Sequence, residues 1–253
     1  KIQKNERARY ETFWAEYGKS LKIGVYNNAY DEKVKDDLKD LLMFATSKEK
    51  LSTLAEYVSR MPETQTKIYF ATQKNLPQME MLNERGIEVL YLSDPVDEFC
   101  IDSLNKYADK EFQSITREDF ELDGENKSEV EELSKSHEQL LKDVAAALDG
   151  AVAEVRLTPN LKTSAVCLAT GANGPSLSME KTFAAMNSPF FKAVRILELN
   201  PNHALFKKLI EKQGAPDFKD FCKMLYVQAL LIEGIMPNEP AEVAAKIAEL
   251  MLK

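Results

Sequence analysis

Apolar residues recur along the chain in two alternating periods, and the switches between periods mark out its elements. Over residues 4–22 the apolar positions are Tyr10, Phe13, Trp14, Tyr17 and Leu21. This helical spacing predicts one helix with a single apolar stripe, weakened near its end by Gly18. Residues 31–44 repeat the period with Val34, Leu38, Leu41 and Leu42. Ser52 stands where a cap would start a third helix through Leu54, Tyr57 and Val58, ending near Met61-Pro62. The period then shortens. Residues 67–71, 88–92 and 110–114 read as strands. A helix over 76–85 follows the first strand, with Met79 and Leu82 inward and Gly86 as its C-cap, and a short helix over 96–104 follows the turn at Asp94-Pro95. This alternation predicts a small α/β layer with a parallel sheet.

The stretch 123–137 is polar and mostly acidic, and reads as a linker entering a helix that runs through Leu133, Leu140, Val144 and Leu148 to Gly150. Strands are expected at 152–157, 164–169 and 194–199. Between the last two lie a loose loop, Thr170-Gly171-Ala172-Asn173-Gly174-Pro175, and a Met-rich helical segment over 177–186. Asn200-Pro201-Asn202-His203 is a turn and helix start. Two helices close the chain, one with Phe218, Phe221, Cys222, Leu225, Ala229 and Ile232, the other with Val243, Ile247, Leu250 and Met251.

Composition narrows the function classes. Across 253 residues, 44% hydrophobic content is ample for a core, which excludes a wholly disordered chain. The net charge of -8 argues against nucleic acid as a partner, because phosphate binding needs clustered Lys and Arg. No apolar run approaches the ~18–20 residues of a membrane span. The three Cys are far apart and suggest neither a disulfide framework nor a zinc site. Cys100 and Cys222 fall on apolar stripes and read as core residues. No glycine-rich phosphate loop or GxSxG elbow occurs. His203 reads as a turn residue, His137 as solvated, and the acid pairs Asp97-Glu98 and Glu131-Glu132 as solvated faces, so no catalytic, cofactor or metal residue is nominated. A chain opening at Lys1 without Met is expected to be a piece of a longer protein.

Apolar surface remains. The terminal helix pair can bury its faces against the same pair of a second copy, as a four-helix bundle, or against its own sheet. In 177–186, Met179, Phe183 and Met186 share a helical face, which suits either adaptable apolar contacts or an ordinary core.

Longer words then become recognisable. They include Tyr10 with Phe13-Trp14 through Leu21-Lys22-Ile23-Gly24, Leu41-Leu42-Met43-Phe44-Ala45-Thr46-Ser47, Tyr57-Val58-Ser59-Arg60-Met61 and Asp94-Pro95-Val96-Asp97-Glu98-Phe99. Later come Val155-Arg156-Leu157-Thr158, Leu197-Glu198-Leu199-Asn200-Pro201-Asn202-His203 and Gln228-Ala229-Leu230-Leu231. In order and spacing these resemble the back half of the ninety-kilodalton heat-shock chaperone family, in its bacterial form. The match departs at Leu76-Pro77, Asn160-Leu161 and Ser164-Ala165.

The resemblance implies an α/β (α+β) fold. Residues 1–124 would be the late part of a middle domain, a small αβα layer. Residues 125–253 would be a mixed C-terminal dimerisation domain ending in a helical hairpin. It implies a homodimer through Phe221, Leu225, Ala229, Ile232, Val243, Ile247, Leu250 and Met251. It also implies a surface for partly unfolded client proteins at Met179 and Phe183 and at Glu98-Phe99, to which helical phase adds Leu177 and Met186. ATP and Mg would bind an upstream domain, leaving this part without an enzymatic site. A seventy-kilodalton heat-shock chaperone is a further candidate partner, and the cytoplasm the expected location. Two other readings stay open: a free-standing α/β enzyme using Asp97 or His203, and a passive dimerisation module.

Overall fold

The computed structural model describes residues 2–122, 127–188 and 191–251; the expected boundary between 124 and 125 lies outside them. The chain opens with α1 (Ile2–Asn5), α2 (Arg7–Asn27) and α3 (Glu32–Lys39), then β1 (Met43–Thr46), β2 (Ser52–Thr53) and α4 (Leu54–Arg60). There follow β3 (Ile68–Ala71), α5 (Met79–Glu84), β4 (Leu90–Tyr91), α6 (Pro95–Leu104), β5 (Lys106–Tyr107) and β6 (Lys110–Ser114). The remainder is α7 (Lys127–Ser136), α8 (Glu138–Ala147), β7 (Glu154–Leu157), β8 (Val166–Thr170), α9 (Leu177–Ala185) and β9 (Arg195–Leu199), then α10 (Ala204–Lys212), α11 (Phe218–Ile232) and α12 (Pro240–Met251). The fold is mixed α and β, as the sequence predicts.

Two compact units divide these elements. The first comprises Lys1–Lys74, Leu82–Ile115 and Ser178–Pro189. Its α2 buries Tyr10, Trp14, Gly18, Lys22 and Val25, one residue per turn along one face. Gly18 is there for room: a Cβ at that position would stand 2.6 Å from Cε2 of Trp14. The helix expected over 31–44 stops at Lys39, and Met43 and Phe44 lie in β1, paired with Thr53 and Ser52. Leu42, Met43 and Phe44 are all buried, and three consecutive buried side chains suit a strand covered on both faces better than a helix with one apolar stripe. Because Ser52 is committed to that ladder, the cap of α4 is Thr53. Its Oγ1 accepts from Glu56 N (3.1 Å), and the Glu56 carboxylate accepts from Thr53 N (2.8 Å).

Among the described residues this unit holds one sheet of order β2-β1-β4-β3-β6-β5. Its centre, β4-β3-β6, is parallel as expected, whereas β1 and β5 pair antiparallel at its flanks. An ion pair braces the end of β4. Arg60 donates Nε and Nη2 to Glu88 (2.8 and 2.7 Å), and Thr46 Oγ1 donates to the same carboxylate (2.6 Å). Burial pushes the Glu88 carboxyl up, but the bonds from Arg60 and Thr46 outweigh it and hold it below its usual range. A depressed pKa stabilises the fold above the unfolded value of ~4.3 and loses that contribution as pH falls through the folded value. Glu88→Gln is therefore expected to cost about 2–3 kcal/mol at neutral pH, and to flatten the acid side of the stability profile. Urea unfolding of both proteins at neutral pH and near the carboxylate pKa checks this; parallel profiles would refute it.

The second unit comprises Asn75–Met81, Thr116–Leu177 and Phe190–Lys253. Its sheet runs β7-β9-β8, with β9 parallel to β7 and antiparallel to β8. Leu140, Val144 and Leu148 from and just after α8, and Cys222, Leu225 and Ala229 from α11, bury against Val166, Leu168 and Leu197. The helix expected to run unbroken to Gly150 is interrupted at His137, between α7 and α8. That side chain is half-buried rather than solvated, edge-on to Phe206 with ring centroids 5.4 Å apart. His203 does serve its turn: Nδ1 accepts from Leu205 N (3.1 Å), capping α10. In 75–81, Leu76, Gln78 and Met79 are buried, and Gln78 Nε2 donates to Leu168 O (3.3 Å). Pro77 disfavours helix at Leu76, so α5 begins later than its apolar period suggests.

Candidate binding surfaces

Two apolar surfaces are built by these elements. The first starts at α6. Pro95 opens the helix at a position where its missing N–H costs nothing, and Asp97 Oδ2 accepts from Asp94 N (3.0 Å) across the first turn. Asp97 Oδ1 also meets Lys22 Nζ at 2.5 Å. The ammonium lies over the rings of Phe44 (4.8 Å) and Trp14 (5.5 Å). Asp97 and Glu98, expected on a solvated face, are 1% and 7% exposed. Their helix packs along α2, and for Asp97 an opposite charge waits there. Burial nevertheless raises the Asp97 carboxyl, with the Lys22 charge opposing.

Locking α2 to α6 in this way sets Phe99 beside Tyr26, ring centroids 5.3 Å apart. Phe183 of α9 meets Phe99 edge-on at 5.9 Å. Along α9 exposure is graded. Leu177 is buried in the second unit's core, Met179 is buried, Phe183 is half-buried, and Met186, just past the helix end, is 71% exposed. The expected set Leu177, Met179, Phe183, Met186, Glu98 and Phe99 thus divides. Phe99 and Phe183 form an aromatic cluster with Tyr26, Met186 is exposed, and Leu177, Met179 and Glu98 are buried. Tyr26 was not anticipated; continuing the period of α2 past Lys22 would have reached it.

The second surface lies on α11 and α12. Leu225 and Ala229 of the expected interface set face the unit's own core. Phe221, Ile232 and Val243 are half-buried, Ile247 and Met251 are exposed, and the side chain of Leu250 lies outside the described residues. A groove of about 760 Å³ runs here, with Leu205, Phe221, Met224, Leu231, Ile232 and Ile247 among its walls. Ion pairs edge it, Lys212 to Asp217 and Lys246 to Asp220, both at 2.5 Å. None of the described side chains of α12 is buried. Met224 and the 52%-exposed Leu231 belong to this surface although sequence reasoning passed over them.

Burial pushes the Cys100 and Cys222 thiols up to about 12, far from a reactive thiolate. Among the described residues no cluster of three or more His, Cys, Asp or Glu could hold a metal, and no helix is long and apolar enough to cross a membrane.

Known proteins resemble the chain over its whole length. It is 42% identical over 264 aligned residues to "Chaperone protein HtpG" of Alkaliphilus oremlandii (strain OhILAs), covering 99% of this chain and 41% of that protein. Against the protein of the same name from Bacillus subtilis (strain 168), identity is 41% over 263 residues, with the same coverage of both. The Clostridium botulinum (strain Okra / Type B1) chaperone is 42% identical over 261 residues. The chain therefore spans 41% of the length of these relatives. The family model described as "Hsp90 protein" matches residues 1–253, and the chain belongs to that family.

Proposed function

We propose that this chain is the part of an ATP-dependent molecular chaperone that joins two copies and presents apolar surface to partly unfolded proteins. The observation carrying the reading is the Tyr26–Phe99–Phe183 cluster together with the exposed Met186. Aromatic and Met side chains suit clients that share exposed apolar groups but no sequence, since they adapt to many shapes. The chaperone names of the relatives support the same class of function. In this reading residues 1–124 are the late part of a middle domain and 125–253 a dimerisation domain. Two-fold packing of the α11–α12 hairpins would bury the groove between them. ATP, with Mg, acts in the whole protein at a domain outside this chain, which itself carries no turnover. The protein works in the cytoplasm, alongside a seventy-kilodalton heat-shock chaperone.

The test is Phe183→Ser combined with Met186→Ser. Phe183→Ser gives up a half-buried contact with Phe99, so the melting temperature should drop by a few degrees while a single cooperative transition is retained. Affinity for a chemically destabilised test protein should fall at least about fivefold, the loss expected when modest apolar contact is removed. Unchanged client affinity in the folded variant would remove the client surface from α9.

A further inference from the structure

The loop of residues 171–176 leads into α9, and its two Gly and one Pro predict freedom. The structure pins it. Residues 116–118 run beside the end of β8: Thr170 N donates to Thr116 O (2.8 Å), and Glu118 N donates to Thr170 O (2.8 Å). Arg117 and Thr170 form a single parallel bridge. From this short strap two side chains reach the loop. Arg117 donates Nη1 to Gly171 O (2.7 Å) and Nη2 to Gly174 O (2.9 Å). Glu118 Oε1 accepts from Ala172 N (2.7 Å). The strap is tied to the sheet in turn. Arg156 donates Nη2 to Glu118 O (2.9 Å) while pairing at 2.6 Å with the buried Glu198.

Ala172, Asn173 and Gly174 are exposed, and Gly174 sits at φ +95 with open space around it. Packing therefore does little to hold the tip of the loop, whereas three charge-assisted hydrogen bonds grip it at three backbone groups. A planar guanidinium spans two carbonyls at once, which a lysine ammonium on its flexible stem does not reproduce.

We propose that Arg117 and Glu118 are positioning residues for the start of α9: they hold the loop in the one shape from which the helix begins at Leu177. This rests on reading α9 as part of the client surface. A preorganised face binds more tightly than one that must first be ordered.

Hydrogen exchange on the whole chain tests it. In Arg117→Ala, the amides of Ala172 and of α9 should exchange about tenfold faster, the change expected when a charged hydrogen bond no longer opposes local opening. The amides of β9 and the melting temperature should hold. Arg117→Lys should fall between the two, and client affinity should weaken in the same order. Should Arg117→Ala not fold, Glu118→Ala carries the same comparison, since it removes the acceptor that holds Ala172 N. Unaltered exchange in α9 overturns the proposal. Loss of the client reading shows itself elsewhere, as unchanged affinity in the Phe183→Ser and Met186→Ser variant, with the exchange result standing.

Discussion

Lys22→Ala is expected to destabilise the fold by about 3–5 kcal/mol, the range for breaking a buried ion pair from one side. Lys22 and Asp97 have side chains 6% and 1% exposed, so removing the ammonium leaves a carboxylate that water barely reaches. Asp94, 3.7 Å from the same ammonium and half exposed, loses less. The substitution also strips the ammonium from the faces of Phe44 and Trp14. The deficit should depend on pH with a definite sign. Burial already raises the Asp97 carboxyl in the folded chain, and loss of Lys22 raises it further. A raised carboxyl favours the folded state below its unfolded pKa of ~3.9, and this advantage is lost as pH rises through the folded value. Lys22→Ala should then be least harmful in acid and most harmful near neutrality. Lys22→Met with Asp97→Asn should recover part of the loss, because an Asn oxygen can still accept from Asp94 N without carrying charge. Chemical denaturation of the parent, the two single variants and the pair supplies the cycle. A cost below about 1 kcal/mol, or one that does not change with pH, would mean that the pair is solvated in solution.

Placing charge on the outer faces of the last two helices should abolish self-association. Leu231 and Ile247 are 52% and 41% exposed on one chain, and both line the same groove. Leu231→Glu with Ile247→Glu leaves the single chain little changed, since each carboxylate stays in water. In a two-fold bundle each would be buried without a partner, a penalty of a few kcal/mol apiece that raises the dissociation constant at least about a hundredfold. Sedimentation equilibrium of the parent should give twice the 28.6 kDa of one chain, and that of the variant 28.6 kDa. Circular dichroism should not distinguish them. A parent that sediments as a single chain at micromolar concentration would sink the idea, and the groove would need another occupant.

The apolar period was enough to find most elements. It failed where burial is decided by a distant segment. Met43 and Phe44 continue a helical pattern locally, yet they become strand because β2 and β4 pair with β1 on either side. Asp97 reads as a surface acid until α2 brings Lys22 to it from far along the chain. The loop before α9 reads as loose because Arg117, which grips it, precedes it by more than fifty residues. On the candidate surfaces the phase of α9 was legible, but its grading from Leu177 to Met186 was not. Periodicity says which residues share a face, not which part of that face another segment covers. Similarly, Leu225 and Ala229 share an apolar helix with Leu231, and only the packed core separates those turned inward from the one left outside.

The makeup of the first unit has a consequence for vectorial synthesis. Its last contribution is Ser178–Pro189, which follows Ile115 only after a long stretch belonging to the second unit. A ribosome adding ~5–20 residues per second needs roughly 3–13 s to pass from residue 116 to Phe183. Throughout that interval the nascent chain carries Phe99 without Phe183 across from it. The chain thus carries, while being made, an uncovered aromatic surface of the kind it is proposed to bind in others.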